Sequence, residues 1–237
     1  MDLSRFQAKA QTQTRSTSYD AGLRSFMIDV YNNMFIGILI TSLVSLFIST
    51  SPALLNTIHG TGLRYLIMFA PFGLIIFFSV KMKSASYSTL RSIFWLYATL
   101  MGAMLSYIFI LYTGASIVRT LFITASMFGA MSLYGYTTKK DLTSMGSFLF
   151  MGLIGVVIMS VVNMFMHSSA VHYVISLVAI VIFTGLTAYQ TQSLKATYMQ
   201  LGNSEAGKKA GLSGALSLYM NFLNIFIHLL QFVGDRR

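Results

Sequence analysis

Seven long apolar runs, near residues 30–50, 65–80, 90–112, 116–136, 146–166, 171–192 and 213–233, repeat along the chain and leave little room for anything else. A helix needs roughly 20 largely apolar residues to cross a hydrocarbon core about 30 Å thick. Each run approaches that length, and the segments between them are short. All six acidic residues, Asp2, Asp20, Asp29, Asp141, Glu205 and Asp235, lie outside the runs or at their edges. Charged residues make up 9% of the chain, against about 25% in a soluble domain. That is too little charge to cover a globular surface of this size. The reading is an all-α integral membrane protein, a seven-transmembrane-helix bundle over residues 30–237 preceded by a cytoplasmic tail over 1–29. Lipid is its main surroundings.

Lysine and arginine in short loops set orientation. One side collects twelve of them: Arg5, Lys9, Arg15, Arg24, Lys81, Lys83, Arg91, Lys139, Lys140, Lys195, Lys208 and Lys209. The other holds Arg64, Arg119, Arg236 and Arg237. The rule places the N-terminus in the cytoplasm and, after seven spans, the C-terminus outside. The terminal "DRR" leaves open a last segment that enters and returns. The polar stretch Met1–Arg24 has no compact apolar core before a small-residue cleavage site, so it reads as a short flexible tail and not as a signal. The segment Ser193–Leu212 reads as the longest linker. Pro71, inside the second run, predicts a kink. The net charge of +10 does not indicate nucleic acid, because the basic residues are spread singly between apolar runs. With no cysteine, disulfides and thiolate metal sites are excluded.

The informative residues are polar ones inside the runs. Ser217, Asn221, Asn224 and His228 follow one another at spacings of 4, 3 and 4, which is one face of a helix. Thr184, Thr187 and Thr191 make a second polar row in the preceding run, with Gln190 one step off it. An unpaired amide facing lipid costs several kcal/mol, on the order of the transfer penalty of a polar group, so both rows face other helices or a wet cavity. At 1.5 Å per residue, Gln190 and Asn221 both fall in the cytoplasmic half of the membrane, on consecutive helices. They are expected to approach each other, either as interhelical hydrogen-bonding partners or as part of a permeation or ligand site. His228 reads as a packed, hydrogen-bonded residue rather than a metal ligand. His59, His167 and His172 fall on the outer side as loop residues, at a spacing that fits no known metal site. No phosphate-binding glycine loop, intramembrane carboxylate pair or Ser–His spacing is present, so no enzymatic activity, cofactor or metal is expected.

Four stretches carry a resemblance. "FTGLTAYQTQSLK" (183–195) and "GALSLYMNFLNIF" (214–226) resemble the two most diagnostic segments of the Bax inhibitor-1 family of membrane proteins. "YGYTTKKDLTSMGSFLFMGLIG" (134–155) and "STSYDAGLRSFMIDVYNNM" (16–34) resemble its bacterial members. The resemblance implies a seven-helix bundle with the last helix near the centre and a location in the bacterial inner membrane. It also implies a pH-sensitive calcium leak. Eukaryotic relatives are linked to suppression of cell death, and a bacterial relative to restraint of a membrane-bound ATP-dependent protease. In the calcium-leak members the two diagnostic segments each carry an aspartate, in motifs reading like TAYDTQ and LYLDF. The matching positions here are Gln190 and Asn221, so both acids have become amides.

Two carboxylates that share a proton titrate in a shifted range, whereas amides do not titrate. The expectation is therefore a weak or ungated leak for calcium or another cation. The competing expectation is a regulator of a membrane-bound protease or another membrane complex.

Overall fold

The computed structural model describes residues 3–237, with side chains from Asp20 onward. Among the described residues nine helices follow in order: α1 (Leu3–Ser49), α2 (Pro52–His59), α3 (Leu63–Lys81), α4 (Tyr87–Leu105), α5 (Ile108–Leu111), α6 (Gly114–Thr137), α7 (Thr143–Met166), α8 (Ser169–Leu201) and α9 (Glu205–Val233). Among the described residues seven stretches are long and apolar enough to cross a membrane: Asp20–Ser49, α3, Tyr87–Leu111, α6, α7, α8 and α9. The protein is an all-α membrane bundle, as the seven runs require. Hydroxyl side chains define where several helices begin. Ser51, Ser86, Thr113, Ser168 and Ser204 each accept a hydrogen bond from a backbone N–H in the first turn of the helix that follows. Such a cap satisfies one of the donors that a helix start leaves without an intrahelical partner.

The last helix is the axle. It packs against α1, α4, α6 and α8, and half of its most apolar window is buried, against 11% for α3 and for α7. Those two helices sit at the periphery, α3 against α4 and α7 against α8. On α7, Phe148, Met151, Ile154, Ile158 and Phe165 are exposed. In water such a surface would be an aggregation hazard, but in a bilayer it meets hydrocarbon. The central position of α9 agrees with the polar stripe read from its sequence.

Four boundaries differ from the sequence reading. Residues 20–29 are not a tail. They extend α1, and Leu23, Phe26 and Met27 are buried together with Val30 and Met34 in the main core. Phe26 lies against the Tyr198 ring at 5.2 Å between centroids. These residues form an apolar stripe on a locally polar stretch of α1, so the mean hydropathy of residues 20–29 concealed them. The remainder of the expected tail lies outside the residues with described side chains. The twenty-residue linker at 193–212 is also absent. Helix α8 continues to Leu201 and α9 starts at Glu205. Gly202 adopts φ 54° there, a conformation that glycine enters without the clash a Cβ would cause. The third run is divided into α4 and the one-turn α5. Finally, a short helix, α2, occupies the connection between α1 and α3. Pro71 lies within α3.

The C-terminal segment settles how the last run ends. Helix α9 is continuous, so it does not enter and return. Beyond it, Thr113 N–H donates to the Asp235 carbonyl at 3.1 Å and Arg237 N–H to the Leu111 carbonyl at 3.0 Å. The Asp235 carboxylate takes the Arg119 guanidinium at 3.0 Å and the Ser116 hydroxyl at 3.0 Å. Arg236 and Arg237 therefore stand at the same end as Arg119, opposite the lysine-rich end.

Helices α6 and α8 approach closely through Gly135. A Cβ added there would lie 2.2 Å from the Ala188 carbonyl oxygen, backbone that cannot swing away. Gly155, on α7, has open space at the same position. Gly135→Ala is expected to cost about 1–3 kcal/mol through overpacking, while Gly155→Ala is close to neutral. Thermal unfolding of both variants in detergent checks this.

Candidate functional site between the last two helices

The polar burst at the end of α8 splits its side chains among neighbouring elements. Thr191 and Thr187 are fully buried. Thr191 Oγ1 donates to the Thr187 carbonyl at 2.9 Å, so its oxygen accepts from Ser132 at 3.1 Å. Ser132 in turn accepts from the Tyr31 hydroxyl at 2.8 Å. This chain of hydroxyls joins α1, α6 and α8. Gln192 clamps the α6–α7 connection: its Nε2 donates to the Lys140 carbonyl at 2.7 Å and its Oε1 accepts from Leu142 N–H at 2.8 Å. The Lys195 ammonium donates to the Tyr136 carbonyl and lies over the same residue's ring at 4.8 Å.

Gln190 points to α9. Asn221 Nδ2 donates to Gln190 Oε1 at 3.1 Å, and Asn221 is 4% exposed. The expected approach of these two residues is met by a direct amide–amide hydrogen bond. Gln190 is half-buried, and the apolar residues one helical turn from the pair on α8 and α9 are buried. Leu186, Leu218 and Ile225 are each at most 1% exposed, and Phe222 meets Phe128 edge-to-face at 5.6 Å.

The rest of the stripe separates. Asn224 Nδ2 returns to its own helix, to the Met220 carbonyl at 2.8 Å. Thr187 Oγ1 does the same toward Phe183 at 2.8 Å. Ser217 is half-buried on α9 without joining the amide pair. His228 belongs to a second cluster nearer the end opposite the lysines. Ser176 Oγ donates to Gln231 Oε1 at 3.1 Å and accepts from His228 Nδ1 at 3.4 Å, and the His228 ring stacks on Phe183. This agrees with the reading of a packed histidine. Thr184 keeps a buried hydroxyl without a partner.

Sequence reading missed Tyr31 and Ser132, and it missed Thr41, whose hydroxyl donates to the Ala98 carbonyl at 2.9 Å and so accepts from the fully buried Tyr219 at 2.6 Å. Each is a single hydroxyl in an apolar run. Only the three-dimensional arrangement pairs them.

Among the described residues, no group of three or more His, Asp or Glu is gathered in a way that could hold a metal. His167 caps α7 with φ 53°. His59 is no free loop residue: its Nε2 lies 2.9 Å from the Ser106 hydroxyl, which itself donates to the Ala103 carbonyl at 2.7 Å.

The sequence matches the family profile described as "Inhibitor of apoptosis-promoting Bax1" over residues 23–237. The chain belongs to the Bax inhibitor-1 family. It is 44% identical over 226 residues to an uncharacterized protein of Rickettsia prowazekii (strain Madrid E), covering 95% of this chain and 96% of the relative. It is 42% identical over 221 residues to the inner membrane protein YbhL of Escherichia coli (strain K12), covering 92% and 94%. It is 41% identical over 230 residues to a protein of Caulobacter vibrioides, covering 93% and 92%.

Two outcomes are expected. Removing the amide pair by Asn221→Leu costs about 1 kcal/mol, the scale of interhelical hydrogen bonds in membranes. A double-mutant cycle with Gln190→Leu, read by unfolding in detergent, gives a coupling of that size. Burial lowers the His59 imidazole below its ordinary 6.5, opposed by a backbone hydrogen bond at Ala103. The neutral ring is the docked form, so its stabilisation is present above 6.5 and is lost as pH falls through the lowered folded value. The thermal midpoint is expected to fall on acidification below that range, and His59→Gln flattens this response.

Proposed function

We propose that this member of the Bax inhibitor-1 family sits in the bacterial inner membrane with its lysine-rich end in the cytoplasm, and that its bundle passes cations, calcium among them, only weakly and without a pH switch. The observation that carries this reading is the hydrogen bond from Asn221 to Gln190. It occupies the two positions that match the aspartates of calcium-leak relatives. Paired carboxylates attract cations and exchange a proton near neutral pH. An amide pair holds the same two helices together at every pH and offers a cation only a carbonyl dipole. The inner-membrane location is supported by the positive-inside pattern and by the likeness to an inner membrane protein of Escherichia coli. No catalytic step belongs to this reading.

A second reading, a regulator of a membrane-bound ATP-dependent protease or another membrane complex, is favoured by the apolar packing around Asn221. Leu218 and Ile225 are fully buried beside it, which suits a plugged centre. The two readings separate in proteoliposomes that report calcium entry from about pH 5.5 to 8, the range where coupled carboxylates titrate. The native protein is expected to leak slowly with a flat pH profile. Gln190→Asp with Asn221→Asp is expected to leak faster and with pH dependence. A native protein with a steep pH response would defeat the proposal. No flux from either protein would favour the regulator.

A further inference from the structure

A cavity of about 360 Å³ opens at the lysine-rich end between α1, α4 and the start of α9. Asp29, Asn32 and Asn33 of α1, Arg91 of α4 and Lys208 of α9 line it, and Ile36 closes its membrane side. Its volume lies within the range of small-ligand sites, about 300–1,000 Å³. Three independent measures place it at headgroup level. Roughly 20 residues span the hydrocarbon. Counted back from Ser49 at the far end of α1, they reach Asp29. Counted back from Val233 on α9, they reach Ser213, which leaves Lys208 just outside. Helix α4 begins at Tyr87, one turn before Arg91.

The chemistry inside the cavity is unusual for an interface. Asp29, Arg91 and Lys208 face one space, yet among the described residues none of them forms an ion pair. The neighbouring Lys209 does pair, with Glu205 at 3.1 Å. Arg91 is held in place by stacking on Trp95 at 4.5 Å. Asn33, 8% exposed, is fixed by donating to the Asp29 carbonyl at 2.8 Å and to the Tyr87 hydroxyl at 3.2 Å. Arg91, stacked on Trp95, and the exposed, unpaired Lys208 and Asp29 on the rim complement a ligand with one phosphate and one ammonium. Toward the membrane, Ile36, Leu39 and Leu43 form an exposed apolar stripe on α1 at helical spacing. It continues from the cavity into the lipid.

We propose that this cavity is a phospholipid site for an ethanolamine phosphate headgroup. Arg91 and Lys208 take the phosphate, and Asp29 takes the primary ammonium. One acyl chain follows Ile36, Leu39 and Leu43. Basic pockets between membrane helices are established headgroup binders, and here the added carboxylate supplies selection. A primary ammonium donates three hydrogen bonds to carboxylate and amide oxygens. A choline headgroup has none to give, and a glycerol headgroup has no charge to meet Asp29. This site is independent of the amide pair and of any ion flux.

The test is native mass spectrometry of the full chain released from bilayers containing equal phosphatidylethanolamine, phosphatidylcholine and phosphatidylglycerol. The native protein is expected to retain phosphatidylethanolamine preferentially. The double variant Arg91→Ala, Lys208→Ala is expected to lose about tenfold in retention, the scale of one charge-assisted hydrogen bond. Lys81→Ala, at the same end but outside the cavity, retains lipid as the native protein does. Asp29→Asn keeps binding but loses the preference for ethanolamine over choline. Arg91→Lys, which preserves charge and fold, keeps most of the retention. Equal retention by the double variant overturns the proposal, and so does an ethanolamine preference that survives Asp29→Asn. Millimolar inorganic phosphate is added in a parallel arm. If it displaces the lipid completely, the cavity is a soluble-phosphate site and the lipid assignment fails.

Discussion

The hydrogen bond between Asn221 and Gln190 shows the constraint on which the bundle rests: a polar group taken into hydrocarbon has to find its partner inside the protein. Backbone groups meet that requirement by forming helices. Side chains meet it only if two particular helices stand at a particular rotation. Helix α9 brings Tyr219 to Thr41 of α1, Asn221 to Gln190 of α8, and Gln231 to Ser176 of α8. Three such bonds along one helix fix its rotation against two neighbours. Each is individually modest, about 0.6 kcal/mol on average in membranes. Their effect is mainly selective, because a rotated α9 would leave all of these groups unpaired at once.

The apolar packing follows from that rotation. With the amides turned inward, Leu218, Ile225 and Leu230 are buried in three separate apolar clusters along α9, and the Tyr219 ring meets Phe94 and Tyr97 edge-on. Dispersion between these side chains needs close approach, which small residues allow. Gly135 brings α6 onto the backbone of Ala188, and Gly211 admits the Phe26 ring between α1 and α9. Where a helix face meets lipid, as on the outward side of α7, bulky side chains point outward, while on its inward side Gly146 admits the Tyr189 ring of α8.

How much of this could be read from the residues depends on the periodicity they carry. The seven spans and the central place of a polar-striped last helix were legible, because length and a 4, 3, 4 spacing survive without neighbours. The approach of Gln190 and Asn221 was legible from depth and chain adjacency. Residues 20–29 of α1 were not. Phe26 and Met27 lie on a stretch of α1 whose local composition resembles a loop, and their burial comes from residues far along the chain such as Tyr198 and Leu212. The supposed linker at 193–212 failed for a related reason. Its polar residues cover helices that project past the bilayer, so solvent composition marked exposure and not irregular structure. The Tyr31–Ser132–Thr191 chain joins residues 101 and 59 positions apart, and no local pattern encodes it. Asn224 and His228 show the opposite limit: they share a face with Asn221 in sequence, yet one bonds its own helix and the other joins a separate cluster.

The central seat of α9 also bears on synthesis. Ribosomes deliver the N-terminal helices first, so α1, α4, α6 and α8 enter the bilayer before the element they surround. Until α9 arrives, Thr41, Gln190 and Ser176 lack the partners it brings, and the earlier helices can gather only loosely. The three-residue turn at Gly202–Ser204 then matters kinetically. It delivers α9 as one arm of a hairpin already anchored by α8, at high effective concentration near its slot. A ribosome stalled before Asn221 would leave an open ring of helices with unpaired polar groups, a form that membrane quality control can recognise.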